Sequence, residues 1–234
     1  MHNSLYGETA TQTAGGIRAK DEEPMYGKGE ELFNAISHTV GAALGIIFAV
    51  IAFLMVSKNP STLSYVAVGI YSFSVITLYT MSALYHFLPH GTAKRIFRVF
   101  DHCTIFLLIA GTYTPYCLIV FWAQPIGKIM FAIEWGLAVV GITLNAVNMR
   151  KMAVKVFSMI SYVIMGWLVA VAIPQLLTLV PLASFVFLLA GGIAYTVGII
   201  FYALGKHRKY MHCVWHVFVI VGSVLQFVSI LYFL

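Results

Sequence analysis

Charged side chains are scarce in this sequence: they make up 9% of its 234 residues, against roughly 25% in a soluble globular chain. With 61% hydrophobic residues and a mean hydropathy of +0.91, that scarcity excludes a soluble domain and leaves an integral membrane protein. Cysteine is scarce too. Cys103, Cys117 and Cys213 all fall in apolar stretches, odd in number and without repeated spacing. That excludes a disulfide framework and a redox motif, and the three read as small buried apolar residues. No stretch has the character of a nucleic-acid module, so the net charge of +6 points to loops facing the cytoplasm and anionic lipid. The polar residues 1–30 mix acids with bases, which fits neither a signal nor a transit peptide. They read as a flexible cytoplasmic tail ahead of a single membrane domain, residues 31–234.

A membrane-spanning helix needs about 20 apolar residues, and the chain holds seven such runs with little left over. They are expected at 34–57, 61–88, 99–122, 127–147, 154–173, 182–204 and 212–234. The first contains Gly41-x-x-x-Gly45, small residues that admit a close neighbour. Pro89 and Gly91 end the second, and a turn containing Pro174 and Pro181 joins the fifth to the sixth. The expected fold class is therefore all-α, a seven-transmembrane helix bundle.

Lysine and arginine are retained on the cytoplasmic side. The loops after the second, fourth and sixth spans carry Lys94, Arg95, Arg98, Arg150, Lys151, Lys155, Lys206, Arg208 and Lys209, whereas the opposite loops carry only Lys58 and Lys128. This asymmetry places the N-terminus in the cytoplasm and, after seven crossings, the C-terminus outside, the reverse of a G-protein-coupled receptor.

With that topology, His86 ends an inward span, Asp101 opens an outward one, and His212 and His216 open the last, so all four lie in the cytoplasmic leaflet. Histidines four apart lie one turn apart on one helix face, and His216 sits roughly two turns below the boundary. Ionisable groups inside a span usually face the bundle interior and pair or bind something. Three imidazoles at one depth suit zinc, whose catalytic sites keep a fourth position for water. Asp101 is then placed to accept that water's proton as general base, and Ser82, one turn before His86, to orient the ligand or the water.

Ser82-x-x-x-His86, Asp101 opening the third span and His212-x-x-x-His216 opening the seventh resemble the three motifs of the progestin and adipoQ receptor family. The neighbouring Ser37-His38, Leu84-Tyr85-His86, Asp101-His102 and Ala110-Gly111-Thr112-Tyr113-Thr114-Pro115 resemble its bacterial branch, the hemolysin III family. The resemblance covers about residues 30–234. It implies a seven-helix bundle with its N-terminus inside, zinc held by His86, His212 and His216, and Asp101 holding a zinc-bound water. It also implies kinship with alkaline ceramidases and a bacterial inner (plasma) membrane location.

Two functional classes follow. The leading expectation is a zinc-dependent, ceramidase-like hydrolase of a lipid amide or ester, its substrate a membrane lipid that enters sideways from the bilayer. The alternative is a non-enzymatic cytolysin, pore or lipid sensor in which zinc is structural and staples the second and seventh spans together. A coupled transporter is weaker, since no repeat with helices interrupted at the midplane is visible. His38 and His102 are assigned to helix packing or hydrogen bonding, and the tryptophans to lipid-facing or interfacial positions. Glu134, without a basic partner in sequence reach, is expected to be protonated or to snorkel outward.

Overall fold

A backbone in lipid must satisfy its own hydrogen bonds, so apolar runs of this length become helices. The computed structural model describes residues 26–205 and 207–234; residues 1–25 of the expected tail lie outside them. Helix α1 spans Lys28–Val56, α2 Thr62–Phe87, α3 Thr92–Pro115 and α4 Pro125–Asn148. Helix α5 spans Met152–Trp167, α6 Ile173–Leu179, α7 Leu182–Leu204 and α8 Met211–Leu231. A π-helical stretch, Tyr116–Val120, extends α3, and a 3-10 stretch, Leu168–Ala172, joins α5 to α6. Seven membrane-length spans result, with no strand among the described residues.

Several boundaries differ from the sequence reading, each for a local reason. Helix α1 starts at Lys28 rather than near Asn34, because Glu30 Oε2 accepts the Gly27 N–H at 2.8 Å and satisfies a free donor of the first turn. Helix α3 starts at Thr92 rather than near Val99, so Lys94, Arg95 and Arg98 are helical and not loop residues. The turn before it uses Gly91 at φ 156°, ψ −171°, a conformation open essentially to glycine alone. Pro115 does not end its span. Its missing N–H coincides with the change from α to π winding at Tyr116, the usual way a helix absorbs such a defect. Pro174, expected in a turn, instead sits at the start of α6, where no N–H is needed, and the fifth span runs on to Leu179.

Helices α2 and α3 lie inside the bundle: 56% and 67% of their most apolar stretches is buried, against 22% for α7 and for the fifth span. Helix α8 packs along α7 and closes the bundle against α1. Gly41 and Gly45 are where α1 meets α2. A Cβ on Gly41 would strike the Tyr79 ring, and one on Gly45 would lie 3.1 Å from Val75 and Ile76. Tyr79 in turn donates to Ser223 Oγ on α8 at 2.7 Å, so the close approach also aligns α2 with α8. Gly41→Leu is expected to displace that ring and cost about 1–3 kcal/mol, the usual penalty for overpacking; a lowered melting temperature in detergent, with Ser64→Ala unaffected, checks it.

Deeper, Phe48 of α1 stacks on Phe227 of α8 with centroids 4.0 Å apart, and Tyr71 of α2 lies parallel to the same ring at 6.4 Å. Tyr116 donates to Ser229 at 2.6 Å, and Ser229 donates to the Ser184 carbonyl at 2.6 Å, tying the π turn to α8 and α7. All three cysteines are buried and unpaired, as expected. Glu134 is not at the surface: it is fully buried in α4, and neither carboxylate oxygen has a partner among the described residues. Snorkelling is therefore excluded.

Candidate metal centre

The first turns of α8 present His212 and His216 to the bundle interior, one turn apart, with their Nε2 atoms 3.1 Å from each other. His86, in the last turn of α2, brings its ring to 4.9 Å from His216 and 5.5 Å from His212, centroid to centroid. One nitrogen from each of the three lies within 4.8 Å of the others, and all three residues are buried. Tetrahedral zinc with Zn–N bonds of about 2.0–2.1 Å spaces its ligand nitrogens roughly 3.4 Å apart. The α8 pair is already near that spacing. His86 Nε2 is buried without a hydrogen-bond partner among the described residues, which is costly for a lone pair unless a cation occupies it. The three histidines thus fit a metal ion.

The orientation of His86 comes from a residue that sequence reasoning passed over. Glu31, in the first turn of α1, accepts from His86 Nδ1 at 2.6 Å, while its other oxygen lies 3.0 Å from Lys94 Nζ. An ionised carboxylate can only accept, so the imidazole proton sits on Nδ1 and the Nε2 lone pair faces the site. Lys94 is itself buried and donates to the Tyr85 and Leu88 carbonyls at 3.0 and 3.1 Å, capping the end of α2. Glu30 and Glu31 look in sequence like ordinary acids at a helix start. Their structural roles differ: Glu30 Oε1 accepts the Tyr210 N–H at 2.6 Å and holds that residue in a left-handed turn, φ 64°, from which α8 springs.

Tyr26 stacks on His212 with centroids 4.6 Å apart and covers the ligand group from the N-terminal side. Burial pushes its phenol well above the ordinary tyrosine range, so the hydroxyl stays neutral. His38, assigned from the sequence to helix packing, lies against His216 at 3.8 Å, and both its nitrogens are buried without partners among the described residues. The signal for it was available. Glu31, Asn34 and His38 recur at helical spacing on one face of α1, and all three turn inward.

A cavity of about 170 Å³ opens from this group into the bundle. Ser82, Asp101, His38, His212 and His216 line one end, and the rest is mostly apolar, with Ile105, Leu108, Ile109 and Val219. Ser82 and Asp101, the two residues assigned to catalysis from the sequence, therefore reach the same space as two of the histidines. His102 is not part of the ligand group; its Nδ1 meets the Arg98 carbonyl at 2.9 Å. Cys213, adjacent to His212, turns away and reaches the Glu30 carbonyl at 3.8 Å. Trp167 and Trp215, expected at the lipid interface, line the cavity.

Residues 26–227 match the family model described as Haemolysin-III related. The chain belongs to that family. It is similar to Hemolysin-3 of Bacillus cereus, 40% identical over 87% of this chain and 91% of the relative. It is also similar to the Hemolysin-3 homolog of Bacillus subtilis (strain 168), 35% identical over 87% of this chain and 94% of the relative. A more distant similarity, 23% identity over 69% of this chain and 67% of the relative, is to human monocyte to macrophage differentiation factor. With seven spans and these relatives, the family member is a multi-pass membrane protein, and a bacterial inner-membrane location agrees with them.

Proposed function

We propose that this haemolysin III-related protein is a zinc-dependent intramembrane hydrolase that cleaves the amide or ester bond of a lipid. The observation that carries the reading is the junction of a buried three-histidine group with a mostly apolar cavity into which Asp101 and Ser82 also reach. Zinc, when bound, polarises a carbonyl oxygen and lowers the pKa of water. His86, oriented by Glu31, would hold it together with His212 and His216. Asp101 takes a proton from the attacking water as the new C–O bond forms, and returns it to the amine or alcohol as the C–N or C–O bond breaks. Ser82 donates a hydrogen bond to the substrate or water oxygen. The apolar wall holds the acyl chain and keeps bulk water from the site. The excess of lysine and arginine at the ends of the second, fourth and sixth spans supports a cytoplasmic N-terminus and an outer C-terminus, with the histidine group in the cytoplasmic leaflet.

The experiment is product analysis by mass spectrometry for purified protein given N-acyl sphingosines and glycerol esters, wild type beside Asp101→Asn. Free fatty acid from wild type, about 10²–10⁴-fold less from the variant, and equal zinc in both is the expected result. Equal turnover in Asp101→Asn removes the base from the scheme. A second reading is favoured by one specific finding, the name Hemolysin-3 carried by the Bacillus cereus relative. In it zinc is structural and the chain acts as a cytolysin or lipid sensor. Dye leakage from liposomes without any fatty acid release would select it.

A further inference from the structure

The cavity face of α3 is a stripe at helical spacing: Arg98, Asp101, Ile105, Leu108, Ile109 and Thr112 all line the space beside the histidines. Arg98 begins the stripe, one turn before Asp101. It differs from the two basic residues ahead of it. Lys94 is buried against Glu31, and Arg95 is exposed, its Nη2 donating to Thr92 Oγ1 at 3.1 Å. Arg98 is half-buried and has no counterion among the described residues. The Asp101 carboxylate lies instead 3.8 Å from His102 Nδ1. An arginine that served only the membrane surface would resemble Arg95, outside the cavity.

The guanidinium is not used elsewhere in the fold. Nε is buried without a partner, and the two terminal nitrogens make no hydrogen bond to the described residues. Unlike Nε, the terminal nitrogens keep accessible surface. Burial dominates the Tyr26 phenol, and the charges of Asp101 and Arg98 act on it in opposite senses, which places both near that ring. Tyr26 lines the cavity too, and its hydroxyl has no partner among the described residues. Two free donors, one of them permanently charged, thus stand at one end of a cavity whose walls are otherwise mostly apolar. A cation held partly out of water without a counterion is costly, and an oxyanion accepting from its fork offsets that cost.

We propose that Arg98, with the Tyr26 hydroxyl, is the headgroup subsite of the bound lipid and takes a phosphate carried close to the acyl carbonyl. The substrate class is thus an acyl lipid with a terminal phosphate and not a neutral amide or glyceride. This rests on the reading above, in which the carbonyl lies at the histidine group and the acyl chain follows the apolar wall. One turn of α3, about 4.5 Å, separates Arg98 from Asp101, comparable to the few bonds of a glycerol unit between phosphate and carbonyl. A guanidinium suits phosphate because it donates two parallel N–H bonds to it. Holding Arg98 apart from Asp101 also leaves that carboxylate free to act as base.

The test measures binding and not turnover, so its outcome is independent of any hydrolysis. The full chain in dodecyl maltoside micelles, which carry no phosphate, is titrated with radiolabelled 1-O-octadecylglycerol 3-phosphate and with 1-O-octadecylglycerol. Both are ether lipids that cannot be hydrolysed, and protein-free micelles are subtracted. Wild type is compared with Arg98→Gln and Arg95→Gln. The expected result is about tenfold tighter binding of the phosphate lipid to wild type and to Arg95→Gln. In Arg98→Gln that preference falls to about one while the neutral lipid binds as before, which shows the cavity intact. The preference should survive millimolar inorganic phosphate; its loss there makes the subsite one for the free ion and overturns the headgroup assignment. Equal binding of both lipids to wild type overturns the proposal and leaves the acyl-chain cavity standing. A preference that survives in Arg98→Gln, or is lost equally in Arg95→Gln, also overturns it. Saturable binding of neither lipid removes the acyl-chain cavity itself, and the reading above with it.

Discussion

His216→Ala, purified without chelator, is expected to retain roughly a tenth or less of the metal carried by wild type, which should hold about one zinc per chain. His212→Ala and His86→Ala should behave alike. The reason is geometric: the site offers three nitrogens, two already 3.1 Å apart on α8 and a third without a partner among the described residues. Removing any one leaves two ligands and an opening that water fills, and two imidazoles do not hold zinc against dilution. Asp101→Ala should keep its metal, since Asp101 is not one of the clustered ligands. His207→Ala, in the exposed loop before α8, should match wild type. Inductively coupled plasma mass spectrometry on protein of matched melting temperature decides the matter. Full metal content in both α8 variants would make the cluster a hydrogen-bonded interface, and the hydrolase scheme would lose its electrophile.

Glu31→Ala should affect both stability and metal affinity, and the two can be separated. Lys94 is 1% exposed, so deleting its charged partner among the described residues leaves an ammonium held by two carbonyls inside the protein. Breaking a buried pair in this way costs about 3–5 kcal/mol. The Glu31 side chain keeps 15% exposure, which favours the lower end of that range. His86 loses the acceptor that fixes its tautomer, and the loss of such a partner typically weakens metal binding 10–100-fold. Adding Lys94→Met removes the stranded charge, so the double variant should regain much of the melting temperature. It should not regain zinc affinity, measured by competition with a chelator of known strength. Glu31→Gln, which keeps an acceptor for the Nδ1 proton, should fall between wild type and alanine. Wild-type zinc affinity in Glu31→Ala would reduce the residue to a helix tie.

Much of the site was legible from the sequence because its signals are local. The His212–His216 pair is a period on one helix, and Ser82–His86 is the same period on another. The depth of His86 and Asp101 follows from counting residues from the nearest loop. What was missed belongs to contacts between helices. Glu31 and His38 face inward only because α1 is rotated to set Gly41 and Gly45 against α2, and His38 falls on the same side one turn earlier. Tyr26 reads as part of the tail because nothing in its neighbours reveals that it stacks on His212. For Glu134 the sequence leaves open a reach to water, which its complete burial in α4 withdraws.

Seven apolar spans, a basic asymmetry between the two sets of span ends and three histidines at a common depth can be read from the chain alone. Each is a property of composition or of periodicity along one helix. The helix packing adds that the three imidazoles converge, that Glu31 holds one of them in the tautomer a metal needs, and that a mostly apolar cavity opens beside them. Those facts depend on how each helix is turned about its axis. That rotation is set by where glycine lets neighbours approach and where hydroxyls pair across the bundle, which no single segment encodes.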